Sequence, residues 1–213
     1  MVIKIHGVPQ STCTRRVLVI LAEKNIPYEL VTVDFMAKEH KSEAFLKMQP
    51  FGKVPVLEDD GVFIYESRAM GKYIAKKFAS QGTKLIPADD DLKGYGLFEQ
   101  ACSLENAYFD GPASRIAYEK VFKKFRGLGD ADEALVQKYT AELDGVFAVY
   151  DGILAKHNYL AGDELTVADL FHLSYGKMVK ELGGAELFAK YPNVGRWFSG
   201  LEKRDSWIKV NKY

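Results

Sequence analysis

Of the 213 residues only two are cysteines, Cys13 and Cys102. Two thiols cannot make a disulfide framework, and they lack the paired spacing of a zinc site, so a reducing compartment and no metal ion are expected. An excess of either charge is also missing: Lys and Arg number 29, and so do Asp and Glu. Nucleic acid or an anionic membrane would ask for a basic surplus, so neither is expected as a partner. No apolar run reaches the roughly 20 residues of a membrane span. The opening Met1-Val2-Ile3-Lys4-Ile5-His6 has no signal-peptide core, and Val210-Asn211-Lys212-Tyr213 carries no lipidation or retention signal. The expected location is the cytoplasm. Several reaction motifs are absent too: GxSxG, HExxH, the phosphate loop and CxxC. No repeat with a period of about 20 to 50 residues is present, which excludes solenoids and propellers.

What remains is an ordinary globular composition, 47% hydrophobic and 27% charged, at a length that suits two small domains. Residues 1–79 alternate short strands and helices. Val2 to His6 reads as a strand, and Thr14 to Lys24 gathers Val17, Leu18, Ile20 and Leu21 on one helical face. Tyr28 to Phe35 is a second strand, and Ser42 to Met48 a short helix ended by the Gln49-Pro50-Phe51-Gly52 turn. Val54 to Glu58 and Val62 to Tyr65 flank Asp59-Asp60-Gly61, a hairpin signal, and Glu66 to Phe78 is a third helix. The order βαβ, short helix, hairpin, helix predicts a thioredoxin-like α/β domain. Residues 80–90 read as a linker, and 91–213 as an all-α domain. Helices are expected from Leu92 to about Gly111, where Pro112 should break the first, then at Ala113–Phe125, Ala131–Lys156, Thr166–Leu182 and Val194–Lys203. Thr166 with Asp169, flanked by Leu165 and Leu170, reads as a capping box with its staple, a folding device.

Four stretches could carry chemistry. Ser11-Thr12-Cys13-Thr14 lies between the first strand and first helix. Either Thr12 or Thr14 could simply cap that helix. Beyond a strand's carboxyl end, however, hydroxyls and free helix amides can also stabilise a thiolate. Val54-Pro55 is either an ordinary edge proline or a cis peptide that leaves the Val54 backbone free to pair with an extended ligand. Glu66-Ser67 opens the third helix; it is a cap, or it holds a carboxylate at Ser67 and an ammonium at Glu66. Glu39-His40-Lys41 is a solvated loop, or it donates to a second carboxylate. His6 and His172 sit in apolar stretches and are expected to be packed, and Cys13 is expected to be inert or, as a minor reading, redox-active.

Ser11-x-x-Thr14-Arg15-Arg16-Val17-Leu18, the Glu39-His40-Lys41 loop, the Gln49 to Pro55 turn and Tyr65-Glu66-Ser67-Arg68-Ala69 occur in order. Phe109-Asp110-x-Pro112-Ala113-Ser114-Arg115 and the run from Tyr159 to Leu170 follow them. Almost end to end, the chain resembles the cytosolic glutathione transferases, and most closely the phi class of plants and fungi. The resemblance implies that the Ser11 hydroxyl holds the glutathione sulfur as a thiolate, with Thr12 and Thr14 beside it. It also implies His40, Lys41 and Lys53 near the glycine carboxylate, Val54 and Pro55 at the cysteinyl backbone, and Glu66 with Ser67 at the γ-glutamyl end. Position 53 is often glutamine in the family, and Lys53 departs from that pattern. Thr12, Phe35, Tyr118, Phe122 and Met178 are implied as the lining for an apolar electrophile. The family pattern further implies a homodimer into which Phe51 inserts, and glutathione as co-substrate with no other cofactor.

The expected function is therefore transfer of glutathione to apolar electrophiles, with glutathione-dependent hydroperoxide reduction as a side activity. The alternative is a non-catalytic carrier of apolar small molecules. The energetic demand is modest. Lowering a thiol pKa from ~8.5 by ~2 units takes ~2.7 kcal/mol. One charge-assisted hydrogen bond contributes about 1.5–3 kcal/mol and a helix N-terminus up to ~1–2. Ser11 needs no general-base histidine and is not itself the nucleophile.

Overall fold

The computed structural model describes residues 2–212. Its contacts divide them into two units, residues 2–86 with 205–212, and Pro87–Arg204.

The first unit holds a four-stranded sheet of β1 (Ile3–Gly7), β2 (Tyr28–Thr32), β3 (Val56–Asp59) and β4 (Val62–Ile64), in the order β2-β1-β3-β4. β1 pairs parallel with β2, and β3 pairs antiparallel with both β1 and β4. The connection from β1 to β2 is α1 (Thr12–Glu23). A single 3-10 turn (Glu39–Lys41) and α2 (Glu43–Met48) lead to β3, and α3 (Ser67–Lys77) closes the unit. Ile3, Ile5, Leu57 and the Val17–Leu21 run of α1 are buried, and α1 packs on α3. A smaller cluster of Val33, Phe45 and Val56 gathers Met48 and Val54. The hairpin turns through Asp60 and Gly61, both at positive φ, as a two-residue turn between twisted strands requires.

Two strand ends differ from the sequence reading by more than one residue. β2 stops at Thr32 rather than Phe35, because its partner β1 ends at Gly7, which pairs with Thr32. β3 begins at Val56 rather than Val54, because Pro55 has no N–H to give the ladder and the last β1 partner, His6, faces Val56.

Beside the core, Asp59 is 6% exposed and accepts hydrogen bonds from Lys77 and, at 2.6 Å, from the Tyr73 hydroxyl. Burial alone would raise the Asp59 carboxyl, but the hydrogen bonds from Lys77 and Tyr73 outweigh it and hold the group below the ordinary aspartate range. A depressed carboxylate contributes stability that is complete above the unfolded pKa of ~3.9 and is lost as pH falls through the folded value. Asp59→Asn is therefore expected to lower the urea midpoint at pH 7 and to flatten its decline below about pH 4. An unchanged acid limb in the variant would contradict this.

The second unit is helical: α4 (Leu92–Leu104), α5 (Asp110–Ala117), α6 (Lys123–Phe125), α7 (Glu133–Leu154), α8 (Val167–Leu170), α9 (Leu173–Val179), α10 (Ala185–Lys190) and α11 (Pro192–Glu202). Pro112 does not break the first helix. It is buried three residues into α5, directly after a five-residue π turn, Glu105–Phe109. The wider turn opens the carbonyl spacing that the ring would otherwise strike. A second π turn, Tyr118–Phe122, follows. The expected Thr166–Leu182 helix is divided: α8 and α9 are separate, and Leu182 and Gly183 leave helical angles. The capping box at Thr166 and Asp169 is present.

The last helix, α12 (Asp205–Val210), was absent from the sequence reading, which ran the helical domain through 213. Its contacts assign it to the first unit. Ser206, Trp207 and Val210 are buried, Ser206 donates to the Glu23 carboxylate, and Asn211 Oδ1 accepts from Arg15 Nη1 at 3.3 Å. Thr83, in the stretch read as a linker, donates to the same Glu23 at 2.7 Å. The carboxylate thus ties both the linker and the C-terminal helix to α1.

Candidate functional site

The N-terminus of α1 is built around Ser11. It, and neither Thr12 nor Thr14, is the N-cap: its φ and ψ are −68° and 128°, and its Oγ accepts from the Thr14 N–H at 3.3 Å. The Ser11 N–H donates to Val8 O at 2.9 Å, and Arg15 Nε donates to Pro9 O at 3.1 Å, which fixes the entry loop. A serine hydroxyl has one proton and two lone pairs. Because the Thr14 amide takes a lone pair, the proton remains for donation to an acceptor at the helix's positive end.

Thr14 is fully buried, and a Cβ added at Gly7 would stand 2.8 Å from its Oγ1 and 3.4 Å from Pro55 Cβ. Only glycine lets the end of β1 approach both. The Thr14 hydroxyl faces this contact and has no hydrogen-bond partner among the described residues. Thr12 is 6% exposed. Cys13 is half-buried, with its sulfur 3.9 Å from Arg16 Nη1, and Cys102 is buried.

The Val54–Pro55 peptide is cis. Since the ladder begins at Val56, the Val54 N–H and C=O lie outside it. At the start of α3, Glu66 takes φ 68° and ψ 107°, with its side chain exposed and no capping bond of its own. A non-glycine residue in the positive-φ region costs about 1–3 kcal/mol and recurs at binding sites. Ser67 follows as the first helical residue, 7% exposed.

His40 stacks on Phe35, ring centroids 4.1 Å apart and 15° from parallel. Burial, and then the Lys41 cation beside it, hold the His40 imidazole below its ordinary pKa, so it is neutral at pH 7. Its Nδ1 is buried with no partner among the described residues. Lys41 Nζ donates to the carbonyls of Phe51 and Gly52 at 3.0 and 2.9 Å, which ties the loop to the next turn. Gly52, at φ 57°, permits this: a Cβ there would stand 2.6 Å from His40 O. Lys53 is exposed on the same turn.

Phe35 is 41% exposed, and in the second unit Tyr118, Phe122 and Met178 are half-buried. The two suspect histidines are packed: His172 is fully buried between Ala168 O and the Tyr150 hydroxyl, and His6 bonds Glu58 at 2.7 Å. No group of three or more His, Cys, Asp or Glu that could hold a metal occurs among the described residues. No helix among them is long and apolar enough to cross a membrane.

Two side chains escaped the sequence reading. Arg16 is 1% exposed and donates from Nη1 to Ser67 Oγ at 3.0 Å. Gln49, 2% exposed, receives the Phe51 N–H and so shapes the turn that carries Lys53 and Val54. An arginine in a TRRVL run reads as solvent-facing, and no local pattern marks its burial.

Residues 1–76 match the family model for the glutathione S-transferase N-terminal domain, and 109–205 that for the C-terminal domain. Glutathione S-transferase hmp2 of Hypomyces subiculosus is 52% identical over 99% of this chain and 98% of its own. Glutathione S-transferase PM239X14 of Arabidopsis thaliana is 47% identical over 92% and 90%. Among solved structures, glutathione transferase F7 of Populus trichocarpa superposes with TM-score 0.95 at 35% identity, covering 99% of this chain and 98% of that one. Maize glutathione S-transferase I, in complex with an atrazine glutathione conjugate, gives 0.91 at 31% identity over 99% and 96%. With both domain models matched and relatives alike along nearly the whole length, the chain belongs to the glutathione S-transferase family, in its phi class.

Proposed function

We propose that this transferase joins glutathione to apolar electrophiles, and that Ser11 donates its hydroxyl proton to the glutathione sulfur, holding it as thiolate. One observation carries the mechanism: Ser11 Oγ accepts from the Thr14 amide, which leaves its proton to donate at the N-terminus of a 12-residue helix. A hydrogen bond to an anion plus the helix end supplies about 2–4 kcal/mol, enough to make thiolate dominant near pH 7. The thiol proton passes to solvent, the thiolate attacks the electrophile's carbon with its electron pair forming the C–S bond, and the leaving group departs with the displaced pair. Thr14, buried against Gly7, supports the helix start through its amide. Thr12, Phe35, Tyr118, Phe122 and Met178 are assigned to contact with the electrophile. The decisive experiment is turnover of a chromogenic electrophile by Ser11→Ala, which is expected to fall severely; unchanged turnover would reject the mechanism.

For the remainder of glutathione, Val54's unladdered backbone suits the cysteinyl peptide, and Glu66 with Ser67 suits the γ-glutamyl ammonium and carboxylate. His40, Lys41 and Lys53 are assigned to the glycine end. The same thiolate can attack a hydroperoxide O–O bond, releasing alcohol and forming the sulfenic acid of glutathione. A second glutathione converts that to disulfide and water, so peroxide reduction is proposed as a secondary activity.

The working form is proposed to be a homodimer. Phe51 is 63% exposed on its turn. The second unit presents an open groove of about 400 Å³ with Leu97, Val149, Ile153 and Leu160 in its wall. An aromatic side chain of one copy seated in the groove of another removes both surfaces from water. Phe51→Ala is expected to weaken dimerisation about 10- to 100-fold, from the ~1.5–3 kcal/mol of a buried phenylalanine. Sedimentation velocity at micromolar chain would show the shift toward monomer, and an unaltered profile would reject this docking.

A further inference from the structure

We infer that Arg16 is a positioning residue for the γ-glutamyl carboxylate of glutathione, acting by fixing which way the Ser67 hydroxyl points; this rests on the assignment of Ser67 to that carboxylate. The chemistry follows from donor and acceptor counts. A guanidinium only donates, so Ser67 Oγ can only accept from Arg16 Nη1, 3.0 Å away. With one lone pair so engaged, the serine proton is turned from the arginine and is available to an acceptor on the other side. Ser67 is also the first residue of the 11-residue α3, where backbone N–H groups have no intrahelical partner. One residue therefore offers an amide N–H and a hydroxyl O–H, backed by a buried cation. A carboxylate, which only accepts, takes both.

Without Arg16 the hydroxyl would be free to rotate, and nothing would bias its proton toward the ligand. The arginine also connects the two ends of the substrate. It lies on α1 five residues beyond Ser11, in the same rigid helix whose N-cap is assigned to the sulfur. One helix and one hydrogen bond thus link the sulfur subsite to the carboxylate subsite, so each is held in fixed relation to the other. The left-handed backbone at Glu66 contributes by turning the chain sharply just before Ser67.

The test is calorimetric titration of the full chain with glutathione, and with an analogue in which 4-aminobutanoyl replaces γ-glutamyl, so that only the α-carboxylate is missing. Ser67→Ala is expected to bind glutathione roughly tenfold more weakly, the size of one charge-assisted hydrogen bond, and Arg16→Met roughly threefold, since the hydroxyl it frees still has three staggered wells. The double variant is expected to bind as Ser67→Ala does, because Arg16 acts only through the hydroxyl that alanine lacks. Analogue affinity should stay level across all of them, and the pKa of the bound thiol should not move. Losses that add, or an Arg16→Met defect as large for the analogue as for glutathione, would overturn the inference. Should Arg16→Met fail to fold, Arg16→Lys decides: it should weaken glutathione in the Ser67 background and have no effect in the Ser67→Ala background. The underlying assignment fails separately. It is sunk if the unmodified chain binds glutathione and the analogue equally well.

Discussion

Ser11→Ala is expected to lower kcat roughly 100-fold, the typical effect of deleting one hydrogen-bond donor to a charge in an active site. Glutathione affinity should change by less than about threefold, because most of its contacts lie away from the sulfur. The pKa of the bound thiol, followed by thiolate absorbance against pH, should rise by about 1–2 units, the equivalent of one charge-assisted hydrogen bond. Alanine also deletes an N-cap at a cost of ~1 kcal/mol, which could be mistaken for a catalytic effect. Ser11→Gly separates the two. Glycine caps a helix within a few tenths of a kcal/mol of serine, yet has no hydroxyl to donate. Its activity should fall as far as alanine's while its melting temperature stays near that of the unaltered chain. Ser11→Asp should cap well and lose still more activity, since a carboxylate accepts only and repels a thiolate. A glycine variant with unaltered turnover would remove Ser11 from the chemistry.

Asp169→Ala should be the most damaging single change to folding. Asp169 is fully buried, and its carboxylate accepts from the Leu160 N–H at 3.1 Å, the Thr166 N–H at 3.0 Å, the Thr166 hydroxyl at 3.2 Å and the Trp197 indole at 3.0 Å. Alanine strands all of these donors in a buried place, at a cost of about 3–5 kcal/mol. Against a total stability of about 5–15 kcal/mol that is a large fraction. Thermal unfolding should shift down by roughly 10 °C or more, at ~2–4 °C per kcal/mol for a chain of this size. Asp169→Asn keeps one carbonyl oxygen and should lose less. A melting temperature within about 2 °C of the unaltered chain would show that the donors find other partners.

The two sites were legible to different degrees, and the difference has a physical origin. Thr166 with Asp169 could be read as a cap because a capping box is a contact between residues three apart, set by backbone geometry alone. The other donors, Leu160 and Trp197, come from a loop and from α11, and nothing near Asp169 in the chain announces them. Ser11 could be placed at a helix start for the same local reason. The cap itself was not legible: the sequence pointed to Thr12 or Thr14, the cap is Ser11, and Thr14 is instead packed against Gly7. Likewise the Val54-Pro55 pair admitted both isomers in sequence; the folded chain has the cis one, with the first ladder residue at Val56.

Hydrophobic periodicity, turn residues and the ordered stretches from Ser11 to Leu170 were sufficient for the α/β start, the helical remainder and the family, because these are local patterns and type-specific motifs. Tertiary structure alone decided where β2 ends, how Pro112 is accommodated, that α12 returns to α1, and that Arg16 is buried against Ser67. Each depends on a partner distant along the chain. The energy of burying a charge or ending a ladder is set by what lies across the contact, and one-dimensional spacing carries no record of that.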